Sequence, residues 1–243
     1  MAGGTAMATA SRWWTGLLAL AVLGLASGLA GCAGPSSEAA SASRSERLLE
    51  QSRLVLRDFL EDDQYQRMRV YVQNAYAIMI VPDLLKGGFI AGAERGTAVM
   101  LVRHPETGSW GQPAFYDVYG GSLGLQFGVK SSDVVLTVMN KDAVQKMVGS
   151  GVKLGADASV AAGRIGATIG AATTTRFGED LYVFAKNQGL FGGFAIDGSY
   201  VAAKDDWNAA YYGRPVNPWE VMTDFNVISG TEVASLHETL TSF

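Results

Sequence analysis

The sequence predicts an α+β, β-rich domain in which a glycine-rich, twisted antiparallel sheet, able to close barrel-fashion, is covered by N- and C-terminal helices. Three observations predict this class. Thirty glycines accompany only six prolines, and most lie between residues 87 and 213 among β-branched and aromatic residues, as in tightly packed strands. Segments with a helical apolar stripe flank this region on both sides. Several strand-like runs are apolar at every position, which indicates a sheet buried on both faces.

The first 31 residues have the pattern of an export signal. Arg12 precedes an apolar run of about 14 residues that is too short to span a bilayer core. The run ends in Leu29-Ala30-Gly31-Cys32, and Cys32 is the only cysteine of the chain. Because no second thiol exists, Cys32 has no partner for an internal disulfide or a shared metal. The ending is similar to the lipobox of bacterial lipoproteins.

This resemblance implies that the signal is removed and that Cys32 carries a diacylglycerol and a further acyl chain such as palmitate. Ala33 follows where an aspartate would imply retention at the inner membrane. The expected location is therefore the bacterial cell envelope, at the periplasmic face of the outer membrane. The alternative is a small buried cysteine near an ordinary signal cleavage site. The predicted organisation is a signal peptide (1–31), an acylated cysteine with a flexible tether (32–44) and a single domain (45–243).

The charge balance narrows the classes of partner. Without Arg12 the mature chain has 18 basic and 23 acidic side chains. A net acidic protein has no general attraction to nucleic acid, so we expect no nucleic-acid partner. A phosphate-bearing ligand would need a local basic patch.

Apolar periodicity predicts the helices. Six apolar residues within 45–61 fall in an arc of about 140°. This stripe could lie on a membrane, but its evenly mixed polar face favours packing on the domain's own sheet. A second helix is predicted at 64–73, followed by an apolar run that Pro82 interrupts. Shorter helices are predicted at 141–148, 205–212 and 231–240.

The predicted strands begin at residue 88. They are 88–93, 97–103, 114–119, 122–129, 133–139, 158–163, 181–186, 190–196 and 199–203. Asn187-Gln188-Gly189 between two of them indicates a hairpin turn. Runs such as TAVMLV (97–102) need a cover on both faces. Terminal helices can supply one cover, and the other can come from curling of the sheet, from a ligand or from a membrane.

No catalytic, metal or cofactor motif is apparent in the sequence. His104 and His237 are 133 residues apart, and neither has a cysteine or carboxylate at metal-ligand spacing. No serine stands in a Gly-x-Ser-x-Gly elbow. We therefore expect a protein that is not an enzyme.

Candidate binding residues lie near the glycine-rich segments. Glycines leave backbone N–H groups open to anions, and a neighbouring lysine or arginine strengthens such a site. The basic candidates are Arg95, Arg103, Lys130, Lys153 and Arg164. The alternative is that these are scattered surface charges.

Three apolar candidates follow the predicted turn at 187–189. Leu190, Phe191 and Phe194 stand among glycines. They would enter a bilayer interface if the turn is exposed, or the core if it folds inward.

Three ordered stretches, 86–103, 110–163 and 189–213, resemble the SYLF domain family, and the likeness covers about residues 46–240. They include KGGFIAGAERGTAVMLVR and GLFGGFAIDGSYVAAKDDWNAAYYG. Eukaryotic members of that family bind phosphoinositides and some bind actin, whereas bacterial members are commonly secreted lipoproteins. The resemblance implies a non-catalytic module that binds membrane phospholipid. The alternative is an interaction protein with a protein partner in the envelope. YVFAKNQ replaces a stretch that is richer in serine and arginine in the family, which leaves Lys186 as the local base.

Overall fold

The computed structural model describes most of the chain from Ser37 onward. The described ranges are 37–88, 91–123, 128–148, 151–154, 156–157, 160–162, 180–188, 198–225 and 230–243. The sequence predictions for Cys32, Arg164, Leu190, Phe191 and Phe194 lie outside these ranges, as does the predicted strand 190–196.

Helices occur at both ends of the described chain and between strands. They are α1 (Ser37–Glu61), a 3₁₀ turn (Asp63–Tyr65), α2 (Gln66–Asn74), α3 (Lys141–Val148), α4 (Asp205–Tyr212), α5 (Pro218–Met222) and α6 (Thr231–Thr241). The strands are β1 (Ala77–Gly88), β2 (Ala91–Val102), β3 (Ala114–Leu123), β4 (Gly128–Val138), β5 (Val152–Lys153), β6 (Val160–Ala162), β7 (Leu181–Gln188) and β8 (Tyr200–Ala203).

Within the described ranges these strands form one sheet in the order β5-β8-β3-β2-β1-β4-β7-β6. Neighbours are antiparallel except for β6 and β7, which are parallel. The α+β, β-rich class predicted from the sequence is therefore confirmed. Strands from both sides of the order contribute to one core cluster, as expected for a sheet curled into a half-barrel.

Helix α1 begins at Ser37, so residues 37–44, which the sequence assigned to a flexible tether, are helical. The hydroxyl of Ser45 donates to the carbonyl of Ser41 and is fully buried. The alanines of this segment have high helix propensity and the chain continues into a packed helix, so the early start needs no further apolar stripe.

Strand β1 continues through Pro82, where the sequence predicted an interruption. Its register against β4 shifts between Val81 and Leu84, which is a bulge. Asp83 adopts a φ of 55° there, and its backbone N–H donates to the Asp133 carboxylate. A bulge removes the need for a ladder hydrogen bond at the proline, so Pro82 is tolerated in a central strand.

The predicted hairpin turn at 187–189 is wrong for its first two residues. Asn187 and Gln188 belong to β7 and pair with Ser132 and Ser131 of β4. The ladder with β4 therefore outweighs the local turn preference of the Asn-Gln-Gly triplet.

Each face of the sheet has its own apolar core. The helix face packs under α1, α2 and α6 and includes Phe59, Ile80 and Leu236. The inner face packs under α3 and α5 and includes Met79 and Tyr116. Both clusters consist of fully buried side chains, so the prediction of a sheet covered twice is confirmed. The stripe of α1 lies in the helix-face core, as its mixed polar face predicted.

Glycines meet at one end of the sheet. Gly87 of β1 opposes Ala93 of β2, which in turn opposes Gly121 of β3. Gly88 opposes both Gly92 and Gly128. We call this end, where β1 and β3 finish and β2 and β4 begin, the glycine end.

Candidate binding surface at the glycine end

One row of side chains crosses five strands near the glycine end. Leu85 opposes Arg95, Arg95 opposes Tyr119, Tyr119 opposes Tyr200, and Tyr200 opposes Lys153. Directly paired residues of antiparallel strands point to the same face. Their immediate neighbours along each strand belong to the inner core, so this row lies on the helix face.

The helices leave this part of the helix face open. The exposed fractions of Leu85, Tyr119 and Val129 are 52%, 44% and 81%. Val129 opposes Gly87 and stands next to this row. The rings of Tyr119 and Tyr200 contact each other at a centroid distance of 5.2 Å. We call this surface, made of Leu85, Arg95, Tyr119, Val129, Lys153 and Tyr200, the glycine-end face.

Arg95 and Lys153 are the two predicted basic candidates that lie on the glycine-end face, and both are exposed. The backbone N–H of Lys153 donates to the Asp157 carboxylate at 2.7 Å, which orders the short strand β5. These two cations flank the tyrosine pair. The structure therefore brings two of the predicted residues together with apolar and aromatic side chains.

Arg103 lies apart from them. It follows β2 eight residues after Arg95, which is about 26 Å along a strand. Its guanidinium donates to the carbonyls of Gln73 at 2.6 Å and of Gly108 at 3.2 Å. Arg103 thus ties α2 and the following turn to the sheet, and it does not join a basic cluster.

Lys130 lies on the opposite, inner face. It opposes Lys86 of β1 directly, and Lys86 forms an ion pair with Glu94 at 2.5 Å. Partial burial lowers the pKa of Lys130 below its ordinary value, the positive charge of Lys86 lowers it further, and Glu94 partly opposes both effects. The Ser199 hydroxyl donates to the Glu94 carboxylate. We call Lys86, Glu94, Lys130 and Ser199 the inner charge cluster.

Lys186 has a structural position. Its ammonium donates to the carboxylates of Asp58 at 2.7 Å and Asp62 at 2.8 Å, at the end of α1. It also lies 5.0 Å from the ring centre of Phe59. Burial alone would lower the pKa of Lys186, but the two carboxylates outweigh burial and raise it.

Sequence reasoning missed the aromatic and aliphatic half of the glycine-end face and half of the inner charge cluster. The missed residues are Leu85, Lys86, Glu94, Tyr119, Val129, Ser199 and Tyr200. Strict alternation along β3 was the available signal, because a buried Val118 places Tyr119 on the other face. Nothing local indicates that the helices stop short of this end of the sheet.

The two histidines take part in local structure. The Nδ1 atom of His104 accepts from the backbone N–H groups of Glu106 and Thr107, both at 3.2 Å. The Nε2 atom of His237 donates to the carbonyl of Gly111 at 2.9 Å. Among the residues that the structure describes, no group of three histidine, cysteine or acidic side chains is arranged to hold a metal ion. Across the same residues, no helix combines the length and the apolar character needed to cross a membrane.

The fold and this surface define a class: an α+β domain whose twice-covered sheet exposes one amphipathic end. The sequence profile of the Ysc84 (SYLF) family, described as "Las17-binding protein actin regulator", matches residues 119–243. Since the match covers half of the chain, the chain belongs to this family. The SYLF resemblance predicted from the sequence is confirmed.

Several curated relatives carry the same family name. SH3 domain-containing YSC84-like protein 1 of Xenopus laevis is 28% identical over 167 residues, which is 68% of this chain and 49% of the relative. Protein YSC84 of Saccharomyces cerevisiae is 28% identical over 65% of this chain and 35% of its own length. LAS seventeen-binding protein 3 of the same yeast is 32% identical over 58% of this chain and 31% of its own. The chain thus spans about half or less of the length of these relatives.

Proposed function

We propose that this protein is a non-catalytic, membrane-anchored module whose domain binds the phospholipid surface through the glycine-end face. The observation that carries the proposal is the composition of that face. Two exposed aliphatic side chains and a contacting tyrosine pair are flanked by Arg95 and Lys153.

This combination suits the region between lipid headgroups and acyl chains. Tyrosine places an apolar ring and a polar hydroxyl at a membrane interface. Leu85 and Val129 can enter the apolar boundary, and each cation near an anionic surface contributes about 1 kcal/mol. Since the mature chain is acidic overall, these two cations must act locally.

We also propose that acylated Cys32 holds the domain at the periplasmic face of the outer membrane. The support is the signal-like segment and the lipobox-like ending at Cys32. Several acyl chains anchor stably because each buried methylene contributes about 0.8 kcal/mol. Mass spectrometry of the protein from its native membrane should find a diacylated or triacylated N-terminal cysteine. An unmodified thiol at position 32 would contradict the anchor.

Vesicle flotation tests the binding face. Residues 37–243 form one compact unit, so we would use a soluble chain of residues 33–243 with vesicles containing phosphatidylglycerol at low salt. The double substitution R95E/K153E should reduce the bound fraction by at least about tenfold, because it reverses both flanking charges. The control K146E/R214E makes the same change in net charge at two exposed residues elsewhere and should bind as the wild type does. Equal flotation of all three chains, or none by the wild type, would refute binding through this face.

A second candidate function is an interaction module for a protein partner in the envelope. The names of the family and of a yeast relative refer to binding Las17, which favours this function class. The glycine-end face could serve a protein surface in the same way. Under this function, R95E/K153E would leave vesicle binding unchanged, and crosslinking in intact envelopes would trap one specific protein.

A further inference from the structure

We propose a second, separate site: the inner charge cluster binds a phosphate group between Lys86 and Lys130. It lies on the face of the sheet opposite to the glycine-end face. The ligand class is a phosphate mono- or diester, either free or as part of a lipid headgroup.

The register places the two lysines for a shared oxyanion. Lys86 and Lys130 are direct partners in the β1–β4 ladder, so their Cβ atoms are about 5 Å apart and on the same face. Lys130 is half-buried and so remains open to solvent. Two ammonium groups at this spacing can donate to different oxygens of one phosphate group.

The charges of the cluster favour an anion. Like charges directly opposite each other in a ladder are destabilising. Here two ammonium groups share the inner face with the single carboxylate of Glu94, and the lowered pKa of Lys130 reflects burial together with the charge of Lys86. A bound phosphate would relieve that repulsion, so part of the electrostatic strain of the empty protein becomes binding energy.

Glu94 holds the cluster in place and limits its charge. Its side chain pairs with Lys86 from β2 and accepts from Ser199, which precedes β8. Strand β3 lies between them, and a Cβ at Gly120 would approach the Glu94 Oε1 atom to 2.8 Å. Glycine at position 120 therefore leaves the space that Glu94 needs. Both sides of the cluster are held by strands, so the lysines are positioned in advance.

The experiment is calorimetric titration of the 33–243 chain with inorganic phosphate and with glycerol 3-phosphate at low ionic strength. The wild type should show saturable binding of both. Lys130→Gln should weaken it by at least about tenfold, because a charge-assisted hydrogen bond is lost. Lys130→Arg should retain binding, and Glu94→Gln should strengthen it, because it removes the competing carboxylate. The opposite signs of the changes at Lys130 and Glu94 are specific to this site.

Folding of each variant is checked by thermal melting. Lys130→Gln should melt no lower than the wild type, since it removes a repulsion. Absence of saturable binding by the wild type, or equal binding by wild type and Lys130→Gln, would overturn the proposal.

The glycine-end face provides the matched control. R95E/K153E should keep phosphate binding even where it loses vesicles, so failure of one proposal is distinguishable from failure of the other. Vesicle flotation of Lys130→Gln then assigns the source of the phosphate. Reduced flotation indicates a lipid headgroup, and unchanged flotation indicates a free phosphate compound. Loss of phosphate binding in R95E/K153E would place the anion on the glycine-end face and overturn the inner site.

Discussion

Gly111 joins three parts of the molecule. Its N–H donates to Val102 at the end of β2, and its carbonyl accepts from His237 of α6. A Cβ at this position would lie 1.8 Å from the carbonyl oxygen of Met222, the last residue of α5. Because that atom belongs to the backbone, a side-chain rotation cannot relieve the collision.

Gly111→Ala should therefore lower the free energy of unfolding by about 3 kcal/mol, the upper part of the usual range for overpacking. The matched control is Gly121→Ala, where the nearest atom is the Gly92 carbonyl oxygen at 3.6 Å. There alanine should be neutral or stabilising by about 0.5 kcal/mol, because it restricts the unfolded chain. Urea unfolding measures both. Equal stabilities of the two variants would contradict the packing described around Gly111.

His237 makes stability depend on pH. Burial lowers its pKa below the ordinary value of about 6.5, and the hydrogen bond to Gly111 only partly opposes this. The unfolded chain therefore takes up the proton first. The stability due to the neutral ring is present above about pH 6.5 and is lost as the pH falls through the lower pKa of the folded state.

His237→Gln keeps an N–H donor for Gly111 and does not titrate. Between about pH 7.5 and pH 5, the melting temperature of the wild type should fall more than that of the variant. Calorimetric or circular-dichroism melts at both pH values measure the difference. Parallel decreases in the two proteins would show that His237 does not cause the dependence.

At the scale of elements, Lys186 fastens the end of α1 to β7. Its substitution by methionine would leave the Asp58 and Asp62 carboxylates facing each other without a shared cation. We expect a loss of about 1 kcal/mol, the upper value for a partly exposed ion pair. Lys146→Met, at an exposed position on α3, is the control and should change stability less. A Lys186→Met variant as stable as the control would contradict this fastening.

Most helices could be predicted from the sequence because each has a local signal. The predicted ranges 141–148 and 205–212 coincide with α3 and α4. Helix α5 was missed although Asn217 caps it and Pro218 is its first residue. An Asn-Pro pair at a helix start is a recognisable signal, but a helix of five residues has no apolar periodicity to support it.

Strand boundaries were less predictable because partners distant in sequence decide them. Pro82 marks an ending in any local reading, yet pairing of β1 with β2 and β4 carries the strand past it. The predicted strands 114–119 and 122–129 meet in β3, which runs without a break from Ala114 to Leu123. Ladder hydrogen bonds from neighbouring strands compensate for the low strand propensity of the Gly120-Gly121 pair.

At the scale of the whole molecule, the two ends of the described chain complete one core. Helix α6 buries Val233, Leu236 and Leu240 in the same cluster as Leu49 and Phe59 of α1. Each buried aliphatic side chain contributes about 2 kcal/mol. Stability of the sheet therefore depends on residues close to the C-terminus.

A chain that ends before Thr231 should lose cooperative folding. Removal of α6 exposes the apolar surface beneath it, so we expect increased binding of a hydrophobic dye and a broadened or lost thermal transition. The substitution Glu238→Ala, at an exposed position of α6, is the control and should leave the transition sharp. A truncated chain that melts as sharply and as high as the full domain would show that α6 is dispensable.

The candidate surface could be predicted from the sequence only in part. Arg95, Lys130 and Lys153 were correctly associated with the glycine-rich strands, but strand parity divides them between two faces. One residue of register decides the face of every side chain on a strand, and register is set by pairing across the sheet. The separation into a glycine-end face and an inner charge cluster therefore required the folded structure.

The early start of α1 has a mechanical consequence if Cys32 carries the anchor. Only five peptide steps separate Cys32 from Ser37, a contour of at most about 18 Å. The domain would then be leashed at close quarters, able to tilt over its attachment point but unable to reach across the periplasm. Targets in the opposite membrane would have to come to it.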